Sequence, residues 1–76
     1  MPISVLFFGS LAEIAGSALT IEEIEDLHGL ELELIKRFPL LKGKEYALAV
    51  NQRVVNENVL LDDNSTVALL PPFAGG

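Results

Sequence analysis

The chain has no cysteine and no tryptophan, one histidine, and five basic residues against eleven acidic ones among its 76 residues. Each shortage removes a class of chemistry. Without cysteine there is no disulfide framework, no Cys-ligated zinc, no iron–sulfur cluster and no thiol nucleophile, so the core alone must hold the domain together. The same absence fits a reducing compartment, and a cytoplasmic location is expected. So few bases cannot lay a basic stripe along a phosphate backbone, which argues against a nucleic-acid partner. No apolar run approaches the roughly 20 residues that span a bilayer, and Met1-Pro2-Ile3-Ser4 lacks the basic start of a secretory signal, so no membrane partner is expected. A chain of this length makes one domain that buries only about 60% of the surface its unfolded form exposes.

Half of the residues are apolar and the net charge is −6. Acids crowd the first 35 residues, where Glu13, Glu22, Glu23, Glu25, Asp26, Glu31 and Glu33 meet no base. Lys36, Arg37, Lys42, Lys44 and Arg53 follow, with only Glu45 among them, before Glu57, Asp62 and Asp63. A partner with a basic surface would be steered toward such a chain. An acidic face that only keeps a small protein soluble accounts for the charge equally well.

Ile3-Ser4-Val5-Leu6-Phe7-Phe8 is β-branched and aromatic and predicts a first strand, ended by Gly9 and followed by Ser10 as a helix-capping serine. A short helix is expected over residues 11–15, stopped by Gly16, and a second strand over residues 18–24, with Leu19 and Ile21 on one face. The main helix starts at Asp26 as N-cap and runs to Phe38, with Leu27, Leu30, Leu34, Ile35 and Phe38 spaced as one buried stripe. Pro39 prevents its continuation. Glu31 and Glu33 precede Lys36 and Arg37, the order the helix dipole favours, while Gly29 inside the helix costs about 1 kcal/mol relative to alanine. Strands are then expected over residues 46–50 and 53–55, about a turn at Asn51 and Gln52, and over residues 66–70 after the turn signal Asp62-Asp63-Asn64-Ser65. Pro71 and Pro72 end the last strand by withdrawing two backbone donors.

One long helix with about five strands is too little for a doubly wound sheet. The economical solution is an α+β domain, a mixed sheet with the helix packed on one face. If Ile3, Val5, Phe7, Val67 and Leu69 face that helix, Leu6, Phe8, Ala68 and Leu70 face away. An apolar outer face on an acidic protein marks a docking surface; the alternative is that residues 56–64 cover it.

Catalytic groupings are almost lacking. His28 has no second imidazole or partner acid and reads as a surface residue. Glu22 and Glu23 would project to opposite faces of a strand, the wrong arrangement for paired acid–base work. Asp62 and Asp63 lack the further acids of a calcium loop, no metal ligand set is expected, and Ser10 and Ser17 have no evident base. The C-terminal residues 71–76, Pro-Pro-Phe-Ala-Gly-Gly, are different: six extended residues reach about 20 Å, and two prolines stiffen their exit from the strand. Gly75 and Gly76 carry no side chains and can pass a channel too narrow for any other residue. A partner holding ATP could turn a free carboxylate on Gly76 into an acyl adenylate open to attack by sulfur or an amine.

Val5-Leu6-Phe7-Phe8-Gly9, residues 11–16, Leu48-Ala49-Val50-Asn51-Gln52, the Asp62-Asp63 turn and residues 71–76 together resemble the MoaD family, the small subunit of molybdopterin synthase, over nearly the whole chain. The resemblance implies a ubiquitin-like β-grasp over residues 1–70 with an extended Gly-Gly tail over residues 71–76. It implies a sulfur carrier and not an autonomous enzyme: an E1-like, ATP-using adenylyltransferase activates Gly76, sulfur transfer leaves a thiocarboxylate (1-thioglycine), and the large synthase subunit, partner in a heterotetramer, carries the active site. The product is molybdopterin, made from cyclic pyranopterin monophosphate. No cofactor is implied for the chain itself. Carried over residue by residue, the family's docking hydrophobes fall on Phe8, Val54 and Leu70, with Pro71, Pro72, Phe73, Ala74, Gly75 and Gly76 as the inserted tail. The chain departs from the family in reading Val67-Ala68-Leu69-Leu70 where phenylalanines are common, and Asp63-Asn64 where an Asp-Gly pair is usual. Three other readings stay open: a thiamine-pathway carrier similar to ThiS, a ubiquitin-like protein modifier, and a binding module whose tail is inert.

Overall fold

The computed structural model describes residues 2–72. They form β1 (Ile3–Phe7), α1 (Ser10–Ala15), β2 (Ala18–Ile21), α2 (Leu27–Arg37), a 3-10 turn (Pro39–Gly43), β3 (Ala47–Val50), β4 (Arg53–Val55) and β5 (Thr66–Leu70). One sheet holds all five strands in the order β2-β1-β5-β3-β4. It is mixed: β1 and β5 run parallel, and every other neighbouring pair is antiparallel. This is the α+β sheet with a single main helix that the sequence predicts, and its topology is the ubiquitin-like β-grasp.

Alternation in the inner strands β1 and β5 decides which side becomes core. Ile3, Val5 and Phe7 of β1 and Val67 and Leu69 of β5 are buried, and they pack with Leu27, Leu30 and Leu34 from α2. Ile35 and Phe38 complete the helical stripe as half-buried neighbours, and Phe38 meets Phe7 edge-on at 6.3 Å between ring centroids. The helix stops at Arg37, with Phe38 as its C-cap and Pro39 opening the 3-10 turn, which the sequence analysis did not foresee. That turn buries Leu41 in the same core.

Asp26 caps α2 as expected, accepting the Gly29 N–H at 2.8 Å. A Cβ on residue 29 would stand 2.9 Å from Asp26 Oδ1, so glycine at this position makes room for the cap. The Asn58 side-chain amide and the Gly29 N–H hold the Asp26 carboxyl below its usual range. Glu33 pairs with Arg37 one turn on, at 2.8 Å.

Three local expectations are corrected. β2 ends at Ile21, short of residue 24, because Glu23 takes a φ of 65° and turns the chain away; Glu22 and Glu23 therefore lie outside the strand and do not flank it on opposite faces. Ser10 is the first residue of α1 and makes no capping bond; Gly9 holds the cap position. Tyr46 precedes β3, and its hydroxyl donates to Glu31 Oε2 at 3.0 Å, tying the strand's approach to α2. Desolvation, then this bond and the charge of Glu31, push the Tyr46 phenol up to about 12.

The two-residue turn between β3 and β4 puts both Asn51 and Gln52 at positive φ, 50° and 72°, the twist that suits a tight hairpin. Asn51 also accepts the Thr66 N–H on its side chain at 2.9 Å, and its own N–H donates to the Thr66 carbonyl, so the turn is fastened to the start of β5. Asn64 has a φ of 68°, the left-handed conformation that asparagine tolerates.

Candidate functional site

Among the described residues nothing is packed over the face of the sheet opposite α2. The Asn56 to Asn64 segment does not cover it: the Leu27 N–H donates to the Val59 carbonyl, the Leu61 N–H to the Glu25 carbonyl and the His28 N–H to Asn58 Oδ1, so the segment is held against the start of α2. Leu61 enters the core from there.

Strand register arranges the outer face in cross-strand rows. Leu6 lies beside Ala68, Ala68 beside Ala49 and Ala49 beside Val54, one row crossing β1, β5, β3 and β4. Phe8, whose N–H donates to the Leu69 carbonyl, and Leu70, beside Ala47, form the next row toward the end of β5. Alanines in the middle and larger side chains at the flanks leave a groove of about 540 Å³ lined by Leu6, Phe8, Val54, Ala68 and Leu70. Asn51, Gln52 and Thr66 close its other end with polar groups. Phe8 is 44% exposed and Val54 62%, whereas Leu6, Ala68 and Leu70 are half-buried. Periodicity places Phe8 and Leu70 outward from the sequence alone; Val54, which only the family resemblance names, falls on the same face by its register with Ala49.

The end of the groove leads to the exit from β5. Pro71 is half-buried and Pro72 exposed. Phe73, Ala74, Gly75 and Gly76 lie outside the described residues. Pro71 packs over Gly9, which has φ 57° and ψ −136°, a conformation open to glycine and strained for any L side chain. This contact was not foreseen; only the Gly9 following a strand hinted at it.

Charge is only partly sorted along the same axis, since Arg53, beside Val50, lies at the end away from the exit. Lys42 and Lys44 come just before β3, whose first residue Ala47 lies beside Leu70 at the exit end. Glu22, Glu23, Asp62 and Asp63 belong to the opposite end, where Ile3 pairs with Ile21 and the Asn64 N–H donates to the Pro2 carbonyl. A second cleft, of about 420 Å³, lies on the helix side and is lined by Leu27, His28, Glu31, Tyr46 and Asn58 among others. Neither Pro71 nor Pro72 lines it. His28, Ser10 and Ser17 are all exposed, and none has an acid–base partner among the described residues. No group of three or more metal-ligating side chains occurs among the described residues, and none of their helices is long and apolar enough to cross a membrane.

What this arrangement offers is a broad apolar seat for a protein surface and, beside it, a stiff exit for the C-terminal segment. Known proteins share both sequence and fold. A molybdopterin synthase sulfur carrier subunit from Mycobacterium tuberculosis is 30% identical over an alignment of 81 positions that covers 97% of this chain and 96% of that protein. A chain in the complex of subunits 1 and 2 of molybdopterin-converting factor from Helicobacter pylori superposes with a TM-score of 0.74 at 31% identity, over the whole of both chains. Small archaeal modifier protein 1 from Methanosarcina acetivorans superposes with a TM-score of 0.83 at 25% identity, over 99% of this chain and 96% of that one. A family model described as the ThiS family matches residues 5–76, from within β1 to Gly76, and the chain belongs to that family.

Proposed function

We propose that this protein is the sulfur carrier subunit of a molybdopterin synthase and that Gly76, as a free C-terminal carboxylate, is its working group. The carboxylate attacks the α-phosphorus of ATP on an E1-like adenylyltransferase, expelling pyrophosphate and leaving an acyl adenylate. A sulfur nucleophile at the level of hydrosulfide then attacks the same carbonyl carbon. AMP leaves with one carboxylate oxygen, and the chain ends in a thiocarboxylate. Residues 71–76 insert into the large synthase subunit, in a heterotetramer, with Phe8, Val54 and Leu70 seated against it. There the sulfur passes to cyclic pyranopterin monophosphate, water restores the carboxylate, and two rounds build the dithiolene of molybdopterin.

The observation that carries this reading is the alignment of groove and exit: the open apolar face ends at the residue where a Pro-Pro-led, Gly-Gly-ended segment leaves the sheet. In this reading activation and sulfur transfer belong to partners, and the chain supplies a docking face and an acyl terminus. Likeness to the Mycobacterium tuberculosis carrier and to a chain of the Helicobacter pylori complex favours this pathway. Likeness to the Methanosarcina acetivorans modifier protein favours a second reading, in which activated Gly76 acylates amines of other proteins.

Deletion of Gly76 in cells tests the proposal. Loss of molybdopterin with the truncated chain still folded and bound to the large subunit is the expected result. Undiminished molybdopterin synthesis by the truncated chain would overturn it.

A further inference from the structure

We infer that Gly9 is a positioning residue for the C-terminal segment: by lacking a side chain it lets the Pro71 ring seat on the β1–α1 junction, and that seat sets the direction in which Pro72 leaves the domain. The inference rests on the carrier reading above for its functional consequence, and on geometry alone for the seat itself.

Two independent features of residue 9 point the same way. The first is space. A Cβ built on Gly9 would stand 2.8 Å from Pro71 Cγ, with Pro71 Cδ at 3.7 Å and Cβ at 3.8 Å. The first distance is closer than non-bonded carbons approach, and the ring can move its Cγ only by changing pucker, without the free rotation of a flexible side chain. The second is backbone conformation. At φ 57° and ψ −136° an L residue meets its own carbonyls, so alanine at position 9 would have to rebuild the link between Phe8 and α1. Gly16 shows what the contact adds, because it also has a positive φ, 88°, yet nothing lies within 4 Å of a Cβ built there. Gly16 answers only a turn; Gly9 answers a turn and a close neighbour.

The neighbour is the residue that matters for direction. Pro71 follows Leu70 directly, its own φ is fixed by its ring, and Pro72 fixes the next. With two successive φ angles locked, contact at Pro71 is carried into the heading of the chain beyond it more faithfully than through ordinary residues. The same position also joins the seat to the docking face, since Phe8 lines the groove and precedes Gly9. A shift of about 1 Å at a reacting group can cost about 100-fold in rate. A methyl group at residue 9 therefore moves the acyl terminus relative to a partner that the groove still binds.

The test measures ATP-dependent adenylation of Gly76 by the activating enzyme for four full-length chains: wild type, Gly9→Ala, Pro71→Ala, and a synthetic chain with D-alanine at position 9. A D residue takes φ 57° and ψ −136° as ordinary extended backbone and carries its methyl in place of the other α-hydrogen. Expected are a kcat about tenfold lower for Gly9→Ala and for Pro71→Ala, and wild-type kcat for the D-alanine chain. Pro71→Ala keeps the proposal testable if Gly9→Ala fails to fold. Wild-type kcat in either L variant, or an equal loss in the D-alanine chain, overturns the inference. If wild type itself is not adenylated, the carrier reading fails while the seat is still decided by nuclear Overhauser contacts between the Gly9 α-protons and the Pro71 ring. Their presence in wild type and loss in Gly9→Ala upholds the seat, and their absence from wild type overturns it.

Discussion

Truncation of Val54 to alanine separates a docking residue from a core residue more cleanly than any other change on the outer face. Full burial of a valine side chain contributes roughly 1.5–3 kcal/mol. Val54 is 62% exposed in the free chain, so covering that part in a complex contributes about 1–2 kcal/mol, or about 5–30-fold in Kd. The part already covered is smaller and bounds the stability lost at about 1 kcal/mol, which lowers Tm by about 4–8 °C in a domain of this size. Leu60 is the control. It is more exposed still, at 82%, but lies outside the groove in the segment held against α2. Titration calorimetry with the synthase large subunit should therefore show weaker binding for Val54→Ala and an unchanged Kd for Leu60→Ala, with thermal unfolding run on both. An unchanged Kd for Val54→Ala, or an equal weakening by Leu60→Ala, would refute the assignment of the groove as the docking seat.

Other consequences can be checked on the isolated chain or its complex. Phe8→Glu and Leu70→Glu should each abolish large-subunit binding while circular dichroism stays native; unfolding of both would place the face in the core. Tyr46 is the only tyrosine and there is no tryptophan, so phenolate absorbance reads it alone: it should titrate near pH 12 in the folded chain and near 10 when unfolded. Because the folded value is the higher one, stability that is fully present below pH 10 should decline as pH rises from 10 toward 12, and titration of the folded chain near 10 would contradict the burial and the bond to Glu31. Asn51→Ala loses the acceptor for the Thr66 N–H and puts alanine at a φ of 50°, a cost of about 1–3 kcal/mol in urea unfolding. Asn51→Gly should recover the conformational part of that loss, and equal destabilisation of the two variants would show that backbone strain plays no part.

Much of the fold is legible in the sequence because its signals are local. The leucines of α2 recur at helical spacing, Asp26 and Pro39 mark its ends, and alternation in β1 and β5 sorts Val5 and Val67 inward from Leu6 and Ala68 outward. What was misread depends on neighbours distant in sequence. Glu22, Glu23 and Ile24 continue the alternation of β2 well enough to look like strand, yet Leu61 bonds the Glu25 carbonyl and Leu60 bridges Asp26, and the chain must turn at Glu23 to meet them. Gly29 reads as a cost to the helix until the Asp26 carboxylate is seen in the space a side chain would fill. The site divides the same way. Phe8 and Leu70 follow from period two, while Val54 sits in a three-residue strand too short to reveal its face, and its position depends on pairing with Ala49. The seat of Pro71 on Gly9 joins residues 62 positions apart, and its one local hint is the glycine that follows β1.

The lack of cysteine makes the central claim unusually open to measurement. A chain with no thiol cannot carry sulfur as a cysteine persulfide, and the proposal puts it on the carboxyl of Gly76. The direct test is the intact mass of the protein, with fragmentation of its C-terminus, after incubation with ATP, the activating enzyme and a sulfur donor. Exchange of one oxygen for sulfur, confined to the fragment containing Gly76 and reversed when the large subunit and cyclic pyranopterin monophosphate are added, is the predicted result. An unchanged mass, or sulfur held anywhere other than Gly76, would contradict the account.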